Sequence, residues 1–312
     1  MFKKQIITEV ENFFNFLPEK NDINKNIGIK VSEFYDVAPF PSYERDETIA
    51  SIVTKGEKNT FIRDFKNFIG NGNKKILEVG AGTCQVSVYL AATTNNQIYA
   101  MDITKKSLMV GYEFAKKNDL RNINFILADI FDDVIEKEQF DYIFCSGVLH
   151  HTKDTQKSFE ILSKYLKKEG YFILGLYNKF GRFRTFFRQF IYKHVSKKLT
   201  IILDPYLRKV NDIKSEKHIA WVRDQYAHPV ERSHTYDEVL KWFNQNNIEY
   251  LNFVPSKFIN DEEVFYKKAS AGSSFALVGS IILTLLVVLF STSILEAGTG
   301  RSLKAAYSFT CQ

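Results

Sequence analysis

Between residues 61 and 177, short apolar runs rich in β-branched and aromatic residues alternate with stretches whose apolar positions recur at helical spacing. This alternation predicts repeated βαβ units around a mostly parallel sheet whose strands are buried on both faces. The predicted strands are Lys75–Val79, Gln97–Met101, Ile123–Ala128, Phe140–Cys145 and Tyr171–Leu176. The predicted helices are Gln85–Ala92, Lys105–Asn118 and Thr155–Lys168, with a helix end and a turn at residues 167–170.

The first 17 residues have apolar side chains mostly three or four positions apart. These are Phe2, Ile6, Val10, Phe13, Phe14 and Leu17, with Glu9 and Glu11 between them. The spacing predicts an amphipathic helix over Met1–Leu17 and is unlike that of a signal peptide. We interpret residues 1–60 as an N-terminal cap segment in front of a core at 61–177.

After Tyr177 the alternation stops until Thr235, so we interpret residues 178–234 as an insertion late in the sheet. Its first part has Phe183, Phe186, Phe187, Phe190 and His194 at helical spacing, with Arg and Lys among them. This pattern predicts a basic amphipathic helix at 182–198. Its apolar stripe either packs on the domain or serves as a membrane-surface or substrate-entry element.

The last part of the chain begins with a helix start signal. Thr235 offers an N-cap, acids follow it, and a strand is predicted at Ile248–Val254. From Ala269 to Leu295 the chain has 27 residues without a charge, long enough as a helix to cross a bilayer. Two interpretations stay open for residues 269–295: a membrane-inserted helix, or a buried core helix followed by a last strand at Leu303–Thr310. We therefore assign 235–312 to the end of the core.

The composition and charge narrow the class of protein. Of 312 residues, 45% are hydrophobic and 25% are charged, which excludes a disordered chain. The net charge is +6, but residues 179–209 contain nine Lys or Arg and one acid, Asp204, so the positive charge is local. A local basic patch suits an anionic substrate, a membrane surface or a limited RNA contact. Three widely separated cysteines without zinc spacing favour a reducing, cytoplasmic compartment and predict no metal site.

The most informative segment is the strand that ends at Glu78 and continues through Gly80 and Gly82 into a helix. Such a turn lets backbone approach a ligand at the carboxyl edge of the sheet. A dinucleotide fingerprint would need a glycine three residues after Gly82, where the chain has Gln85, and Glu78 would repel a pyrophosphate. A carboxylate at this place instead suits a ligand with an ammonium or sulfonium charge.

This segment resembles motif I of the class I S-adenosylmethionine-dependent methyltransferases, in which an acid precedes three glycines. Glu78, Gly80 and Gly82 match the pattern, and Cys84 stands in place of the third glycine. That departure either tightens the turn or weakens cofactor binding. The resemblance implies a doubly wound, Rossmann-like α/β fold that binds S-adenosylmethionine.

Further positions agree with that family at the ends of the following strands. The resemblance implies that Asp102 binds the ribose hydroxyls, that Asp129 contacts the adenine amino group, and that Gly147 belongs to the cofactor site. His150 and His151, which follow the fourth strand, are similar to the family's Leu-His-His ending. Either could remove a proton from an oxygen nucleophile, because a histidine pKa lies near neutrality.

Segments outside the core resemble bacterial small-molecule methyltransferases that carry a late insertion. They suggest that the insertion is an acceptor-side lid, with Asp224, His228, Glu231 and His234 lining the acceptor pocket and Tyr35 approaching from the N-terminal segment. His228, Glu231 and His234 are three and six positions apart and would diverge around a helix axis, so a metal site is not expected there.

We therefore expect a methyltransferase that acts on an oxygen or nitrogen atom of a small-molecule or lipid-linked acceptor. It would be cytoplasmic, with membrane contact through residues 269–295 and the 182–198 helix as a further expectation. Two alternatives stay open. One is an RNA methyltransferase, because aromatic and basic residues alternate in 179–209. The other is a non-catalytic cofactor-binding protein, because Cys84 disturbs motif I.

Overall fold

The computed structural model describes residues 1–17, 27–37, 39–44, 46–205, 207–209 and 216–251. Within these ranges, seven strands form one sheet in the order β1-β2-β5-β4-β3-β6-β7. Its strands are β1 (Thr8–Val10), β2 (Phe13–Asn15), β3 (Lys75–Val79), β4 (Gln97–Asp102), β5 (Ile123–Leu127), β6 (Phe140–Ser146) and β7 (Leu166–Gly175). Neighbouring strands are parallel except for the antiparallel pair β1 and β2.

Helices cover both faces of this sheet. They are α1 (Ile27–Val37), α2 (Ile49–Lys58), α3 (Thr60–Ile69), α4 (Gln85–Thr93), α5 (Lys105–Lys117), α6 (Thr155–Tyr165), α7 (Phe183–His194), α8 (Lys197–Leu203), α9 (Glu216–Ala227) and α10 (Tyr236–Gln245). One buried apolar cluster includes Phe65 of α3, Tyr89 of α4 and Leu108 of α5, and the other includes Phe159 of α6 and Trp242 of α10. The sheet therefore has a core on each side, which confirms the predicted doubly wound α/β fold.

The central strands agree with the prediction to within a residue or two, but β7 begins earlier than expected. Residues 167–170, predicted as a helix end and a turn, lie inside this strand, and α6 ends at Tyr165. The reason is the pairing of Leu166 with Phe140, which lies before an irregularity in the ladder. Leu166 is buried, whereas Lys167 forms an ion pair with Asp141 at 2.9 Å across the two strands. A polar segment is thus held as an edge strand.

The predicted helix over Met1–Leu17 is wrong: the structure has the hairpin β1–β2 there. Strand β2 extends the sheet by pairing in parallel with β5, and the Phe125 N–H donates to the Asn12 carbonyl oxygen at 2.8 Å. Successive phenylalanines point to opposite faces, so that Phe13 packs against Tyr112 and Phe14 packs against Phe2. Pairing with the free edge of β5, together with aromatic packing on both faces of the sheet, therefore outweighs the local preference for a helix.

The insertion leaves the sheet and returns to it at one point. Asn178 and His234 form a parallel bridge, and the His234 N–H donates to the Tyr177 carbonyl oxygen at 2.9 Å. The predicted basic helix is present as α7. Its apolar stripe does not pack on the domain, because Phe183 is 75% exposed and Phe187 is 61% exposed. The packing interpretation is therefore wrong for these phenylalanines.

The predicted start of the next helix is confirmed. Thr235 is the N-cap of α10 and forms a capping box with Glu238. Residues 248–251 are not in a strand, and the remainder of the predicted strand Ile248–Val254 lies outside the described residues, as do 269–295 and Leu303–Thr310. Among the helices in the described ranges, none has the length and apolar character needed to cross a bilayer.

Candidate functional site

The turn between β3 and α4 takes three left-handed backbone conformations in five residues: Gly80, Gly82 and Cys84 have φ angles of 67°, 53° and 64°. A side chain at Gly80 would collide with Val148, and one at Gly82 would collide with the Phe40 carbonyl group. Both glycines are therefore required by close approach as well as by backbone conformation. The turn lies where two neighbouring segments press against its backbone.

Cys84 adopts the conformation that the third glycine of motif I would provide, and it is fully buried. A non-glycine residue in this region costs about 1 kcal/mol. Its side chain fits because α5 has Gly111 opposite: a Cβ at Gly111 would lie 2.6 Å from Cys84 Sγ. The chain therefore keeps the shape of the turn and makes room for the sulfur in the adjacent helix.

Glu78 lies under the turn, at the first turn of α4. Cys84 is the N-cap of this helix and makes no side-chain capping bond. Instead, Glu78 Oε2 accepts from the Ser87 N–H at 2.8 Å and also from the Ser87 hydroxyl. Burial is the largest cause that raises the pKa of Glu78, to about 7, while the Ser87 bonds act in the opposite direction. This carboxyl therefore titrates near neutrality.

Asp102, at the end of β4, ties the turn to the neighbouring strand. Its Oδ2 accepts from the Gly82 N–H at 2.8 Å, and its Oδ1 accepts from the Thr104 N–H at 2.7 Å. Burial raises its pKa, while these backbone bonds lower it. Asp102 and Glu78 thus hold the glycine-rich turn from two adjacent strands.

Asp129 follows β5, the next strand along this edge. Its Oδ1 accepts from the Phe131 N–H at 3.0 Å, and burial is the main cause that raises its pKa. Helix α1 lies directly over it, since a Cβ at Gly28 would be 2.8 Å from Asp129 Oδ2. The three predicted carboxylates therefore lie at the carboxyl ends of three adjacent strands, at one edge of the sheet.

The segment 39–44 covers the glycine-rich turn. The Thr83 hydroxyl donates to the Pro41 carbonyl oxygen at 2.6 Å, and the Tyr43 hydroxyl donates to the Thr83 carbonyl oxygen at 3.1 Å. Gln85 Nε2 donates to the Ser42 carbonyl oxygen at 3.3 Å. Three hydrogen bonds therefore hold segment 39–44 against the glycine-rich turn and the start of α4.

A column of rings stands beside this edge, where β6 ends. In order, the column contains Tyr35, His228, His151, His150 and Tyr177, with neighbouring centroids separated by 5.7, 3.7, 4.3 and 3.7 Å. Its members come from α1, the end of the insertion, the 3₁₀ turn Leu149–His151 and, for Tyr177, the segment after β7. Four residues predicted from the sequence are thus brought together, and Gly147 lies at the start of the same loop with a φ angle of 78°.

The two adjacent histidines of the ring column carry their ring protons on opposite nitrogens. The Tyr177 N–H donates to His150 Nδ1 at 3.3 Å, so the His150 proton lies on Nε2. His151 Nδ1 lies 2.7 Å from the Val230 carbonyl oxygen, so this nitrogen carries the proton and Nε2 keeps its lone pair. Burial lowers the pKa of His150 far below its ordinary value and that of His151 to about 4. Both rings are therefore neutral at pH 7, and the expectation of pKa values near neutrality is wrong for these two histidines because both are buried.

A buried ion pair closes the far end of the ring column. The Arg182 guanidinium stacks on Tyr177 at 3.7 Å and donates twice to Glu231 Oε1, at 3.0 and 2.7 Å. Its Nη1 donates to Gln225 at 2.8 Å, and Gln189 donates to the other oxygen of Glu231 at 2.9 Å. Both oxygens of the Glu231 carboxylate thus accept hydrogen bonds from Arg182 and Gln189 of the insertion.

His234, another predicted acceptor residue, makes its contacts away from the stacked rings of this column. His234 Nε2 lies 3.1 Å from the Thr155 hydroxyl, and its ring packs against Trp242. With Lys153 and Arg232 it lines an open surface groove of about 510 Å³. Asp224 is in α9, and its side chain lies outside the described residues. Over the described ranges, no group of three or more His, Cys, Asp or Glu could hold a metal ion.

A family profile described as "Methyltransferase domain" matches residues 71–247, which is more than half of the chain. The chain belongs to the class I S-adenosylmethionine-dependent methyltransferases. The matched region begins before β3 and ends after α10, so it contains the carboxylate edge, the insertion and every ring of the column except Tyr35.

Individual relatives of this methyltransferase are distant. A putative protein N5-glutamine methyltransferase of Methanocaldococcus jannaschii is 33% identical over 92 residues, which cover 30% of this chain and 45% of the relative. Phosphoethanolamine N-methyltransferase 2 of Caenorhabditis elegans is 23% identical over 141 residues, or 44% of this chain and 32% of the relative. PKMT2 of Rickettsia typhi, solved with AdoHcy, has a TM-score of 0.48 at 19% identity, covering 58% of this chain and 39% of that one. The matched regions span less than half of the first curated relatives.

Several residues of the site were not identified from the sequence. Ser87 has the N3 position after a predicted turn, which is a detectable capping signal. Tyr177, Arg182 and the Val230 carbonyl group act through contacts across the insertion, and no local pattern marks them. Gly111 in a helix interior is a weaker clue, since glycine is unfavourable there without a packing reason.

The fit between Cys84 and Gly111 predicts a thermodynamic coupling. Gly111→Ala places a methyl group 2.6 Å from Cys84 Sγ and should lower the free energy of unfolding by about 1–3 kcal/mol. Adding Cys84→Gly should restore a large part of that loss, because the sulfur is removed. Urea denaturation of both single variants and the double variant measures this coupling. Gly72→Ala, at a position with no atom within 4 Å of the added methyl group, is the control. Equal losses in the single Gly111→Ala and the double variant would contradict the fit.

The raised pKa of Glu78 predicts a pH dependence of stability. The folded state binds this proton more tightly than the unfolded state, so its contribution to stability is present below pH 4.5 and is lost as the pH rises through about 7. The full loss is on the order of 3 kcal/mol. Glu78→Gln keeps an acceptor for the Ser87 N–H but cannot ionise, so it should gain stability relative to wild type as the pH rises. Parallel slopes for the two proteins between pH 5 and 8 in urea denaturation would refute the assignment.

Proposed function

We propose that this chain transfers the methyl group of S-adenosylmethionine to an oxygen or nitrogen atom of a small-molecule or lipid-linked acceptor. The observation that carries the proposal is that Glu78, Asp102 and Asp129 lie at the carboxyl ends of three adjacent parallel strands, around a glycine-rich turn. Ligands of open α/β sheets bind at the carboxyl ends of the strands.

The residues at this edge fit the cofactor chemically. Carboxylate oxygens accept hydrogen bonds, as the ribose hydroxyls and the adenine amino group require, and we assign them to Asp102 and Asp129. Glu78 would provide negative charge near the cationic end of the cofactor. The glycine turn lets backbone groups approach it, and the fastened segment 39–44 would limit the entry of water.

The acceptor nucleophile must lose a proton if it is a hydroxyl, and we assign the base to His151 Nε2. The Val230 carbonyl oxygen fixes the orientation of this ring and places its proton on Nδ1. Methyl transfer itself is an in-line displacement in which the bound cofactor supplies an electrophilic methyl group on a sulfonium. Alignment of the acceptor by the surrounding rings would supply much of the acceleration.

His150 has a different role in this proposal. It is fully buried, its Nδ1 accepts from the Tyr177 backbone, and its ring packs between Tyr177 and His151. We assign it as a positioning residue that holds His151 in place. The sequence pattern made the two histidines equivalent candidates, and their hydrogen bonds support separate roles.

The enclosure of the ring column favours a small acceptor. His151 and His228 are each 6% exposed. A compact nucleophile can reach such groups with less rearrangement than a nucleic-acid strand. The names of the relatives include both a protein acceptor and a small-molecule acceptor. We therefore base the proposed acceptor class on the burial of His151 and His228 and not on the relatives.

A direct test uses radiolabelled S-adenosylmethionine with a cell extract divided into small-molecule, lipid and RNA fractions. Label in the small-molecule or lipid fraction is expected. Label confined to RNA would overturn the proposed acceptor class, and cofactor binding without transfer to any fraction would favour the non-catalytic alternative.

For the cofactor site, we expect Asp102→Asn to weaken S-adenosylhomocysteine binding by at least about tenfold, because a charge-assisted bond to the ribose contributes roughly 1.5–3 kcal/mol. Isothermal titration calorimetry measures the affinity. The matched control is Asp141→Asn. Asp141 lies near the amino end of β6, away from the candidate cofactor site, and its carboxylate also accepts a backbone hydrogen bond, from the Lys75 N–H at 2.8 Å. Similar losses of affinity in both variants would indicate general destabilisation and contradict the ribose assignment.

For the base, His151→Asn retains an N–H that can donate to the Val230 carbonyl oxygen but removes Nε2. With a hydroxyl acceptor, kcat should fall by about 10²–10⁴-fold while cofactor affinity stays unchanged. Wild-type activity should be lost as the pH falls towards the His151 pKa of about 4, where Nε2 becomes protonated. Wild-type turnover by the variant would remove His151 from the mechanism.

A further inference from the structure

Helices α7 and α8, with the residues next to them in the chain, expose an unusual amount of apolar surface. The residues concerned, each more than a third exposed, are Phe180, Phe183, Phe186, Phe187, Phe190, Val195, Leu199, Ile202 and Leu203. Folded monomers rarely expose large contiguous apolar patches without a binding role. We call this set the insertion face.

The opposite side of α7 is the side that packs. Thr185 and Ile191 are buried, and Gln189 donates to the Gln225 carbonyl oxygen of α9 at 2.8 Å. The helix therefore already has its contact with the rest of the insertion. The phenylalanines of the insertion face are turned away from that contact.

Within the described residues 179–205, the exposed charged side chains are all cationic. Lys179, Arg184, Lys193 and Lys198 are exposed. The one acid of residues 179–209, Asp204, is 2% exposed, and it accepts from the Tyr226 hydroxyl and from the Leu207 N–H. Its negative charge is directed inward. An approaching partner meets apolar side chains surrounded by cations.

We propose that the insertion face binds the surface of a membrane that contains anionic lipids. An amphipathic helix with aromatic residues on one face and Lys or Arg beside them lies in the interface between headgroups and acyl chains. RNA would use the aromatic rings for stacking but gains nothing from Val195, Leu199, Ile202 and Leu203, which have no π-face. A hydrocarbon layer accepts aromatic and aliphatic side chains alike, and its anionic headgroups complement the cations.

This surface is linked directly to the ring column. Arg182 is the N-cap of α7, and its guanidinium stacks on Tyr177. Docking of the insertion face would therefore place the candidate acceptor side next to the bilayer. An acceptor dissolved in the membrane could then be reached without crossing water.

The test is cosedimentation of the full chain with two kinds of vesicle: phosphatidylcholine alone, and an equimolar mixture of phosphatidylcholine and phosphatidylglycerol. Wild type should bind the anionic vesicles more tightly, and this preference should disappear at high salt. The combined variant Phe183→Ser, Phe187→Ser and Phe190→Ser should bind them about tenfold more weakly or worse. A second variant, Arg184→Gln, Lys193→Gln and Lys198→Gln, should lose about fivefold for each cation removed.

The matched control is Ile7→Ser with Val10→Ser, which removes two apolar side chains of similar exposure near β1 and should bind like wild type. Unchanged thermal unfolding shows that each variant is folded, and the charge variant provides the test if the phenylalanine variant does not fold. Binding that persists at the wild-type level in both variants would overturn the proposal and place the contact elsewhere in the chain. Absence of wild-type vesicle binding, with or without binding to single-stranded RNA, would also overturn it.

Discussion

The bond between the Glu78 carboxylate and the first turn of α4 fixes the geometry on which the site depends. This helix begins at Cys84 without a side-chain cap, so the preceding strand supplies the missing acceptor through Glu78. Asp102 then fixes the turn from the next strand by accepting from the Gly82 N–H. Strand, turn and helix are therefore held by two buried carboxylates whose pKa values are raised by that burial. Both carboxyl groups lie at the edge of the sheet where our proposal places the cofactor.

The central fold could be predicted from the sequence because its strands are buried on both faces. Continuous apolar runs such as Lys75–Val79 and Ile123–Leu127 leave few other interpretations. The edges could not be predicted in the same way. Residues 8–15 have helical spacing and become a hairpin only because β5 offers a free edge, and residues 167–170 are polar but pair with β6. In both places long-range pairing overrides the local pattern.

The residues of the candidate site likewise fall into those that a local sequence pattern predicts and those that depend on long-range contacts. Glu78, Asp102 and Asp129 were identified because strand ends mark them in the sequence. The difference between His150 and His151 could not be identified, because it depends on a carbonyl oxygen 79 residues away. The contacts that the insertion makes are likewise long-range: Glu231 pairs with Arg182 inside the insertion, and His234 contacts Thr155 of α6. Site residues at strand ends can therefore be predicted from the sequence. The roles of residues in the insertion depend on tertiary contacts that no local sequence pattern shows.

The bridge between Asn178 and His234 has a consequence for how such a protein can change. Because the chain leaves and rejoins the sheet at neighbouring residues, the 55 or so intervening positions can lengthen, shorten or be exchanged while the ends remain where they are. Such a change would have to keep the ring contacts that Tyr177 and His228 make with the two histidines after β6, and the bond between His151 and the Val230 carbonyl oxygen. A new acceptor preference could therefore arise by replacement of the insertion, while the sheet and the proposed cofactor site stay unchanged.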